Sequence, residues 1–347
     1  MKYERILRAF AQTPFALMPE KAREIMAFLE LKSTGVMLTA DEIALRIGRA
    51  PGASLRRPLL EMVDMETGLF AFDQEQENER RVQKPNASTG KAGSVAIVNV
   101  FGVINQRASG DLSTESASTE KISAAIRGAH ANSRVSRILL NVDSPGGGVY
   151  GVAELASEIM RLRGPKPMVA QANSLMASAA YWIGSACDEL VCTPSGEIGS
   201  IGVYGVHQDW SAAYEELGVK FTLVRAGKFK AEGVDFAPLG DEATAYMQKR
   251  VDEYYSMFVR SVAKGRGVSE FQVRNGFGEG RVVGAAEGVM LKMADRVGTL
   301  QDTLSRLGVR GGGAISQASV RHRAFDADHE YRLNRNRLRQ RCLAIRA

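Results

Sequence analysis

A run of glycines follows a predicted strand in the middle of the chain. The strand covers Ile138–Val142, and the sequence then reads DSPGGG from Asp143 to Gly148. Because glycines have no side chain, their backbone amides can approach another group closely. Such amides can stabilise an anion, including the oxyanion of an acyl transfer. The same sequence is also typical of a tight turn from a strand to a helix with no role in chemistry.

Ser178 lies in the segment NSLMASAAYW, near the start of a predicted helix. The alanines on either side leave room around its hydroxyl, and the free amides at a helix N-terminus favour negative charge there. Ser178 is therefore a candidate nucleophile. The competing interpretation is that a serine at this position only caps the helix, but the spacing makes Ser174 the better cap candidate.

A serine hydroxyl needs a base to become an effective nucleophile. The four histidines stand at positions 130, 207, 322 and 329, and none lies in a familiar nucleophile–histidine motif. No G-x-S-x-G elbow occurs either. His207 with Asp209 or Asp143 could complete a conventional triad, so this arrangement remains an alternative. The alternative without catalysis is that His207 is a half-buried polar residue at the end of a strand.

The other candidate bases are two lysines. The segment AGKFKAEG presents Lys228 and Lys230 on a turn after a predicted strand, FTLVR, at 221–225. A lysine acts as a base only where burial or a neighbouring positive charge lowers its pKa from about 10.4 towards neutrality. Lysines on a surface loop are usually no more than solvated charges.

Strands and helices alternate on both sides of these residues. A β-branched run at 94–104 and the segments at 138–142, 167–172 and 189–192 predict strands. Helices are predicted at 152–162, from about Met176, at 241–264 and at 285–291. Such alternation is typical of an α/β domain with a largely parallel sheet.

Composition divides the chain into four parts. Residues 1–74 are predicted to form a helical N-terminal extension, with a helix at Met18–Leu31, and the polar residues 75–93 a linker. Residues 94–309 form the α/β domain, and residues 310–347 a flexible run with an arginine-rich tail. The tail from 317 onwards has eight arginines against three acidic residues, which is +5 of the net charge of +6. It could bind nucleic acid or an acidic protein surface, or be only a solvated helix face.

Composition also limits cofactors and location. The chain has three cysteines, no C-x-x-C pair and scattered histidines, so we predict no metal site, no cofactor and a reducing, cytoplasmic compartment. The first residues make a poor signal peptide. A charge-free stretch of 21 residues runs from Pro167 to Cys187, but its amides and serines favour a buried strand and helix over a membrane span.

Four motifs taken together, DSPGGG, MASAAYW, GSIGV and GKFKAEG, resemble the signal peptide peptidase A family of serine proteases, and within it the phage head maturation proteases. The resemblance covers about residues 94–300. It implies a Clp protease/crotonase-like α/β fold, flanked here by the helical N-terminal extension and the basic C-terminal tail. It also implies a Ser–Lys dyad that cleaves scaffold and head proteins during capsid maturation.

Matched motif by motif, the resemblance implies that Ser178 is the nucleophile and Lys230 the base. The oxyanion position falls in the glycine run at Gly146 and Gly147, assisted by the amide of Ala179. Ser200, in GSIGV, matches a serine that orients the lysine. The chain departs from the family at Ala179–Ala180, where a glycine pair is usual, and at KMAD, residues 292–295, where a G-L-V-D-like turn is usual.

The resemblance further implies a homo-oligomer, because serine and lysine come from neighbouring subunits in single-domain members. The membrane anchor of the family's cellular enzymes is not expected here, which suits the phage branch. Three alternatives remain open at this point. One is a bacterial cytoplasmic protease resembling signal peptide peptidase. The second is a crotonase-like acyl-CoA enzyme, which would need an acidic group in place of Lys230. The third is a scaffold or portal-associated protein without catalytic activity.

Overall fold

The computed structural model describes residues 15–17, 59–65, 70–72, 93–107 and 116–309. For residues 15–17, 70–72 and 116 it describes the backbone only. The strands in these ranges are β1 (Phe15–Leu17), β2 (Leu60–Asp64), β3 (Phe70–Phe72), β4 (Ser94–Phe101), β5 (Val103–Asn105), β6 (Ser116–Ser118), β7 (Val135–Ser144), β8 (Gly146–Gly148), β9 (Met168–Ala177), β10 (Glu189–Cys192), β11 (Glu197–Gly199), β12 (Val282–Gly284) and β13 (Arg296–Val297).

The helices of the described chain are α1 (Thr119–Ala131), α2 (Val152–Leu162), α3 (Ala179–Gly184), α4 (Ser211–Glu216), α5 (Asp241–Arg266), α6 (Glu270–Gly276), α7 (Ala285–Met290) and α8 (Leu300–Arg306). A short 3-10 helix covers Gly278–Gly280.

The main sheet is built around three parallel strands, β4, β7 and β9. These strands are rich in Val, Ile, Leu and Ala and are buried on both faces, as expected for parallel strands covered by helices. On one side of this centre, β2 pairs antiparallel with β4, and β3 pairs antiparallel with β2. On the other side, β10 pairs with the first half of β9 and β11 with its second half, both in parallel. The predicted α/β class with a largely parallel sheet is confirmed.

Helices cover the two faces of this sheet unequally. Helices α1, α2, α3 and α5 contribute to the larger core, which includes Ile126, Leu155 and Phe258. Within it, the rings of Trp182 and Phe258 stack with their centroids 4.5 Å apart, which joins α3 to α5. On the opposite face, Leu304 of α8 belongs to a smaller cluster with residues of β4, β7 and β9. The larger core therefore fixes the start of α3, where Ser178 lies.

A second, smaller sheet contains the glycine run. Its strand order is β1-β8-β5-β6, so β8 has a neighbour on each edge. Gly147 pairs with Ile104 of β5, and a Cβ atom built on Gly147 would lie 1.8 Å from the Ile104 carbonyl oxygen. Only glycine permits this approach. The interpretation of DSPGGG as a simple turn is therefore wrong, because Gly146–Gly148 is a paired strand.

The predicted elements differ from the observed ones mainly in length. The helix at 152–162 is confirmed, whereas the helix expected from Met176 begins only at Ala179, because β9 continues to Ala177. The strand predicted at 221–225 is absent from the described chain. The helix predicted at Met18–Leu31, the linker at 75–92 and the tail from 310 lie outside the described residues. Within 1–74 the structure describes three strands, two of which join the main sheet.

We call residues 204–240, which lie between β11 and α5, the arm. Within it, the Phe221 ring stacks on Phe236 at 4.4 Å and meets Tyr214 edge-on at 4.9 Å. The Trp210 amide donates to the Asp235 carbonyl at 2.7 Å. None of the helices in the described ranges combines the length and the apolar character needed to cross a bilayer.

Candidate functional site

Ser178 occupies a strained backbone position between β9 and α3. Its φ is 56° and its ψ is −120°, a combination that residues other than glycine rarely adopt. Such conformations cost about 1–3 kcal/mol and tend to be found where a side chain must be held in a functional geometry. The Ser178 amide donates to the Gly199 carbonyl at 2.7 Å, and its carbonyl accepts from the Trp182 amide at 2.9 Å. The residue is 1% exposed.

The hydroxyl of Ser178 does not cap the helix that it precedes. Ser178 stands at the N-cap position of α3, but its side chain accepts no bond from the first turn. The expectation that Ser174 is the cap is wrong, since Ser174 lies within β9 and is exposed. The first amides of a helix have no partner inside that helix, so the Ala179 amide points out of the start of α3. The Ser178 hydroxyl and the Ala179 amide therefore both lie at the N-terminal end of α3.

The glycine strand β8 lies beside this helix end, and α3 contacts it directly. The Gly146 amide donates to Ser144 Oγ at 3.2 Å, and Ser144 Oγ donates to the Gly102 carbonyl at 2.6 Å. Gly146 has a φ of 98°, a value that suits glycine. Gly147 is held against β5, so its first role is close packing. Nothing in the sequence singled out Ser144, although it lies within DSPGGG.

Ser200 is brought to the same edge of the sheet. It follows β11 directly, and the residue before it, Gly199, accepts the Ser178 amide. Ser200 is 8% exposed, has a φ of 54°, and its amide donates to the Arg281 carbonyl at 2.8 Å. The structure therefore brings together Ser178, Ala179, Gly146 and Ser200.

Lys230 is not brought to this site within one chain. It lies in the arm, is exposed, and its amide donates to the Gly227 carbonyl at 3.2 Å. Across the described chain, no hydrogen bond joins Lys230 Nζ to Ser178 Oγ. Lys228, two residues earlier, bonds Glu242 of α5 at 2.8 Å and lies 4.5 Å from the Phe229 ring centroid. Of the two lysines, only Lys228 has a charged partner in the described residues.

His207 does not form the alternative triad in this structure. It is half-buried in the arm, and its Nε2 lies 3.3 Å from the Ala237 carbonyl oxygen. The Ser211 hydroxyl, and after it the Ser211 amide that donates to Asp209 Oδ1 at 2.9 Å, lower the pKa of the exposed Asp209 carboxyl. Asp143 is exposed at the end of β7. No described bond links His207 to either aspartate or to Ser178.

The KMAD turn, residues 292–295, is bonded to α3, the helix that begins directly after Ser178. Lys292 has a φ of 66°, which a glycine would adopt without strain. The Asp295 carboxylate makes a two-point ion pair with Arg266, at 2.8 and 2.9 Å, and accepts the Leu190 amide at 2.7 Å. Burial alone would raise the pKa of Asp295, but these bonds and the Arg266 charge hold it below its usual range. The Tyr181 hydroxyl of α3 donates to the Met293 carbonyl at 3.0 Å.

The described residues contain no group of three or more His, Cys, Asp or Glu side chains that could hold a metal ion. What they do contain is a buried serine, a helix-start amide and a glycine strand. This arrangement suits nucleophilic attack on a carbonyl with stabilisation of an oxyanion. Within the described residues, no lysine or histidine side chain makes a hydrogen bond to Ser178.

The chain is similar to several known proteins. The chain is 35% identical over 197 residues to the head-tail preconnector protein GP5 of Enterobacteria phage P21, covering 55% of this chain and 39% of that protein. It is 36% identical over 148 residues to the capsid assembly protease C of Escherichia phage lambda, covering 43% and 34%. It is also 33% identical over 174 residues to a putative protease of Methanocaldococcus jannaschii, covering 50% and 55%.

The chain thus spans between about a third and somewhat more than half of these relatives' lengths. Among solved structures, it is similar to a ClpP1 variant from Listeria monocytogenes, with a TM-score of 0.39 and 16% identity, over 60% of this chain and 94% of that one. A family model matches residues 161–310, a range that includes Ser178, Ser200 and Lys230 but not the glycine strand. The description of this model is peptidase family S49, so residues 161–310 are similar to that family.

Proposed function

We propose that this chain is a serine endopeptidase in which Ser178 is the nucleophile and Lys230 of a neighbouring copy of the chain is the general base. The observation that carries the proposal is the position of Ser178: buried, held at a φ of 56°, and free of the capping bond that a serine there usually makes. A strained serine beside a free helix-start amide and a glycine strand serves acyl transfer better than it serves stability.

A base from a second copy accounts for the exposed lysine. Residues 217–230 of the arm, which we call the exposed strip, are all exposed. Apolar residues alternate along it at 217, 219, 221 and 223, and Leu217 is 75% and Val224 91% exposed. This alternation is typical of a strand with one apolar face, yet the strip has no strand partner in the described chain. Pairing with another copy would bury the apolar face and carry Lys230 along with it.

The proposed reaction proceeds through an acyl-enzyme. The neutral amine of Lys230 takes the Ser178 proton while Oγ attacks the peptide carbonyl carbon. The amides of Gly146 and Ala179 then stabilise the oxyanion, a contribution on the order of 3 kcal/mol per donor. The Gly146 amide must turn from Ser144 Oγ to do so. Removal from water favours the neutral amine over the ammonium form, so assembly would also prepare the base.

Ser200 would orient the lysine. It is joined to the nucleophile through Gly199, so a lysine arriving from another copy would meet both hydroxyls together. Gly147 acts through packing, because its contact with Ile104 fixes the glycine strand that carries Gly146.

For substrates we propose scaffold and head proteins of a phage capsid, cleaved in the host cytoplasm inside the assembling particle. The support is the likeness to the lambda capsid assembly protease and the phage P21 preconnector protein. The arginine-rich tail, residues 310–347, could then hold nucleic acid or an acidic partner. A protease resembling signal peptide peptidase is the second candidate, favoured by 30% identity over 174 residues to a putative signal peptide peptidase of Enterococcus faecium.

The test compares Ser178→Ala and Lys230→Ala with the matched control Lys228→Ala. Cleavage of a co-expressed head protein is expected to fall below detection in the first two and to persist in the control, whose lysine is paired with Glu242. Undiminished cleavage by either of the first two variants would refute the assignment.

Labelling with a fluorophosphonate separates the remaining alternatives. We expect a covalent adduct on Ser178, identified by peptide mass spectrometry. A crotonase-like enzyme would show no adduct and would bind acyl-CoA, and a scaffold protein would show neither while particle assembly proceeds with Ser178→Ala.

A further inference from the structure

The glycine strand β8 is paired on both of its edges. On one edge, Gly147 meets Ile104 of β5. On the other edge lies β1, three residues from the N-terminal part of the same chain. Strand β1 runs antiparallel to β8 in a defined register, with Leu17 opposite Gly146, Ala16 opposite Gly147 and Phe15 opposite Gly148.

The edge of β8 that pairs with β1 is the edge that a substrate would use in the proposed site. Gly146 is a proposed oxyanion donor, and the start of α3 contacts β8. An extended peptide that is to reach Ser178 and Gly146 together can pair with β8 only on the edge that β5 leaves open. That edge is taken by β1, all three glycines are buried, and Ser178 is 1% exposed. A substrate that pairs there must displace Phe15–Leu17.

We infer that Phe15–Leu17 is a tethered peptide that occupies the substrate-binding edge of this chain and competes with substrates for it. The inference rests on the proposed role of Ser178 and Gly146. It assigns the site an occupant, an extended peptide running antiparallel to β8, and it assigns that peptide a register.

The register follows from strand direction. Leu17 is opposite Gly146, so Leu17 is the residue whose carbonyl oxygen is nearest in register to the proposed oxyanion amide. Ala16 and Phe15 then lie along β8 on the acyl side. The proposed site would therefore cut the peptide bond that follows Leu17.

Cleavage of this bond would balance as an ordinary hydrolysis. Ser178 Oγ forms an ester with the Leu17 carbonyl carbon, and the bond from that carbon to the Met18 nitrogen breaks. The serine proton passes through the lysine to the departing amine. Water then splits the ester, leaving a carboxylate on Leu17 and returning the proton to Ser178.

The occupancy is tested with a fluorescent synthetic peptide of residues 13–21 binding to the full chain with Ser178→Ala, which separates binding from catalysis. Adding Ala16→Pro and Leu17→Pro removes two backbone donors from β1 and weakens its pairing. The matched control, Ala16→Ser with Leu17→Met, keeps both donors. The proline variant is expected to bind the peptide about tenfold or more tightly than the parent, and the control like the parent. Equal affinity in all three would overturn the inference.

Hydrogen exchange provides a measurement that needs no proline variant. In the Ser178→Ala chain, saturating peptide is expected to speed exchange at the amides of residues 15–17 while those of residues 146–148 stay protected. Peptide binding without faster exchange at residues 15–17 would contradict displacement.

The register is tested with the serine intact. The proline variant is expected to cut the peptide of residues 13–21 into a product that ends at Leu17, identified by its mass. A product ending elsewhere would overturn the register. If the peptide binds but is not cut, the occupancy stands and the catalytic role of Ser178 fails, so the two proposals are judged separately.

Discussion

The amide of Ser178 donates to the carbonyl of Gly199 at 2.7 Å, and this bond joins the candidate nucleophile to β11, the strand that Ser200 follows. Ala177 and Gly199 are register partners of the parallel pair β9 and β11. The two strands therefore end together, with a serine after each. Both serines have a positive φ, so the sheet edge holds two strained hydroxyl-bearing residues side by side.

This relationship predicts that Gly199 is needed for the geometry of Ser178. Gly199 has a φ of 117°, and a Cβ atom there would lie 2.9 Å from the Arg281 carbonyl oxygen. Gly199→Ala is expected to lower the free energy of unfolding by about 1–3 kcal/mol and to lower proteolytic activity more than the population of folded protein explains. Gly298→Ala is the control, because a Cβ there meets only ordinary contacts, at 3.5 Å or more. Urea unfolding and cleavage are measured on the same preparations, and equal activity of the two variants would contradict the prediction.

The glycine strand gives a second matched pair. Gly147→Ala is expected to destabilise the fold by about 2 kcal/mol or more, because a methyl group would overlap the Ile104 carbonyl. Gly148→Ala is expected to change stability by less than about 1 kcal/mol, since a Cβ there meets no atom within 4 Å. Thermal unfolding of the two proteins distinguishes them. Equal melting temperatures would mean that β8 and β5 are not packed as described.

Local patterns in the sequence predicted β4, β7, β9 and β10 of the main sheet, but not β2, β3, β11, β12 or β13. The β-branched runs of β4 and β7 and the amphipathic α2 are fixed largely by their own residues, and so is the alternation of strands and helices. The glycine strand was not predictable in this way, because its conformation depends on pairing with β5 and β1, which are distant in sequence. The same limit applies to α3, whose start is set by where β9 ends.

The sequence predicted which chemical groups form the candidate site, but not the backbone geometry that holds them. Motif resemblance gave Ser178, Ser200 and the glycine run, and the structure brings these together. The motif resemblance gave no signal for the bond from Ser178 to Gly199 or for the role of Ser144, because both depend on backbone geometry. The strand predicted at 221–225 is wrong for a different reason: its alternating pattern has no strand partner in the described chain.

The Arg266–Asp295 pair predicts a stability that depends on pH. The pKa of Asp295 is lower in the folded chain than its ordinary value of about 3.9. Its stabilising effect is therefore fully present above that ordinary value and is lost as pH falls through the folded pKa. Asp295→Asn is expected to cost about 1–2 kcal/mol at pH 7, and this difference from the wild type should shrink below about pH 4. The control Asp252→Asn, on the exposed side of α5, should change little at either pH. A difference that does not vary with pH would exclude a role for the Asp295 charge.

The exposed strip predicts that assembly depends on its apolar residues. Leu217, which is 75% exposed and lies on the apolar face of the strip, would be buried by pairing with another copy, so Leu217→Asp is expected to weaken self-association at least about 30-fold, the effect of roughly 2 kcal/mol at an interface. Phe271→Asp is the control, because Phe271 is also 77% exposed but lies on α6, outside the arm. Light scattering across a dilution series measures both. Loss of assembly in the control alone would place the interface elsewhere.

A dyad shared between copies predicts that two inactive variants restore activity when mixed. Ser178→Ala keeps the lysine and Lys230→Ala keeps the serine, so a Ser178 of the second variant can meet a Lys230 of the first. If each serine takes its lysine from one neighbour in a ring, an equal mixture is expected to recover about a quarter of wild-type activity, since half of the subunits carry the serine and half of their neighbours carry the lysine. The variants are unfolded, mixed and refolded together, and peptide cleavage is compared with that of each variant refolded alone. Activity that stays at the level of the separate variants, with assembly intact, would mean that serine and lysine act within one chain.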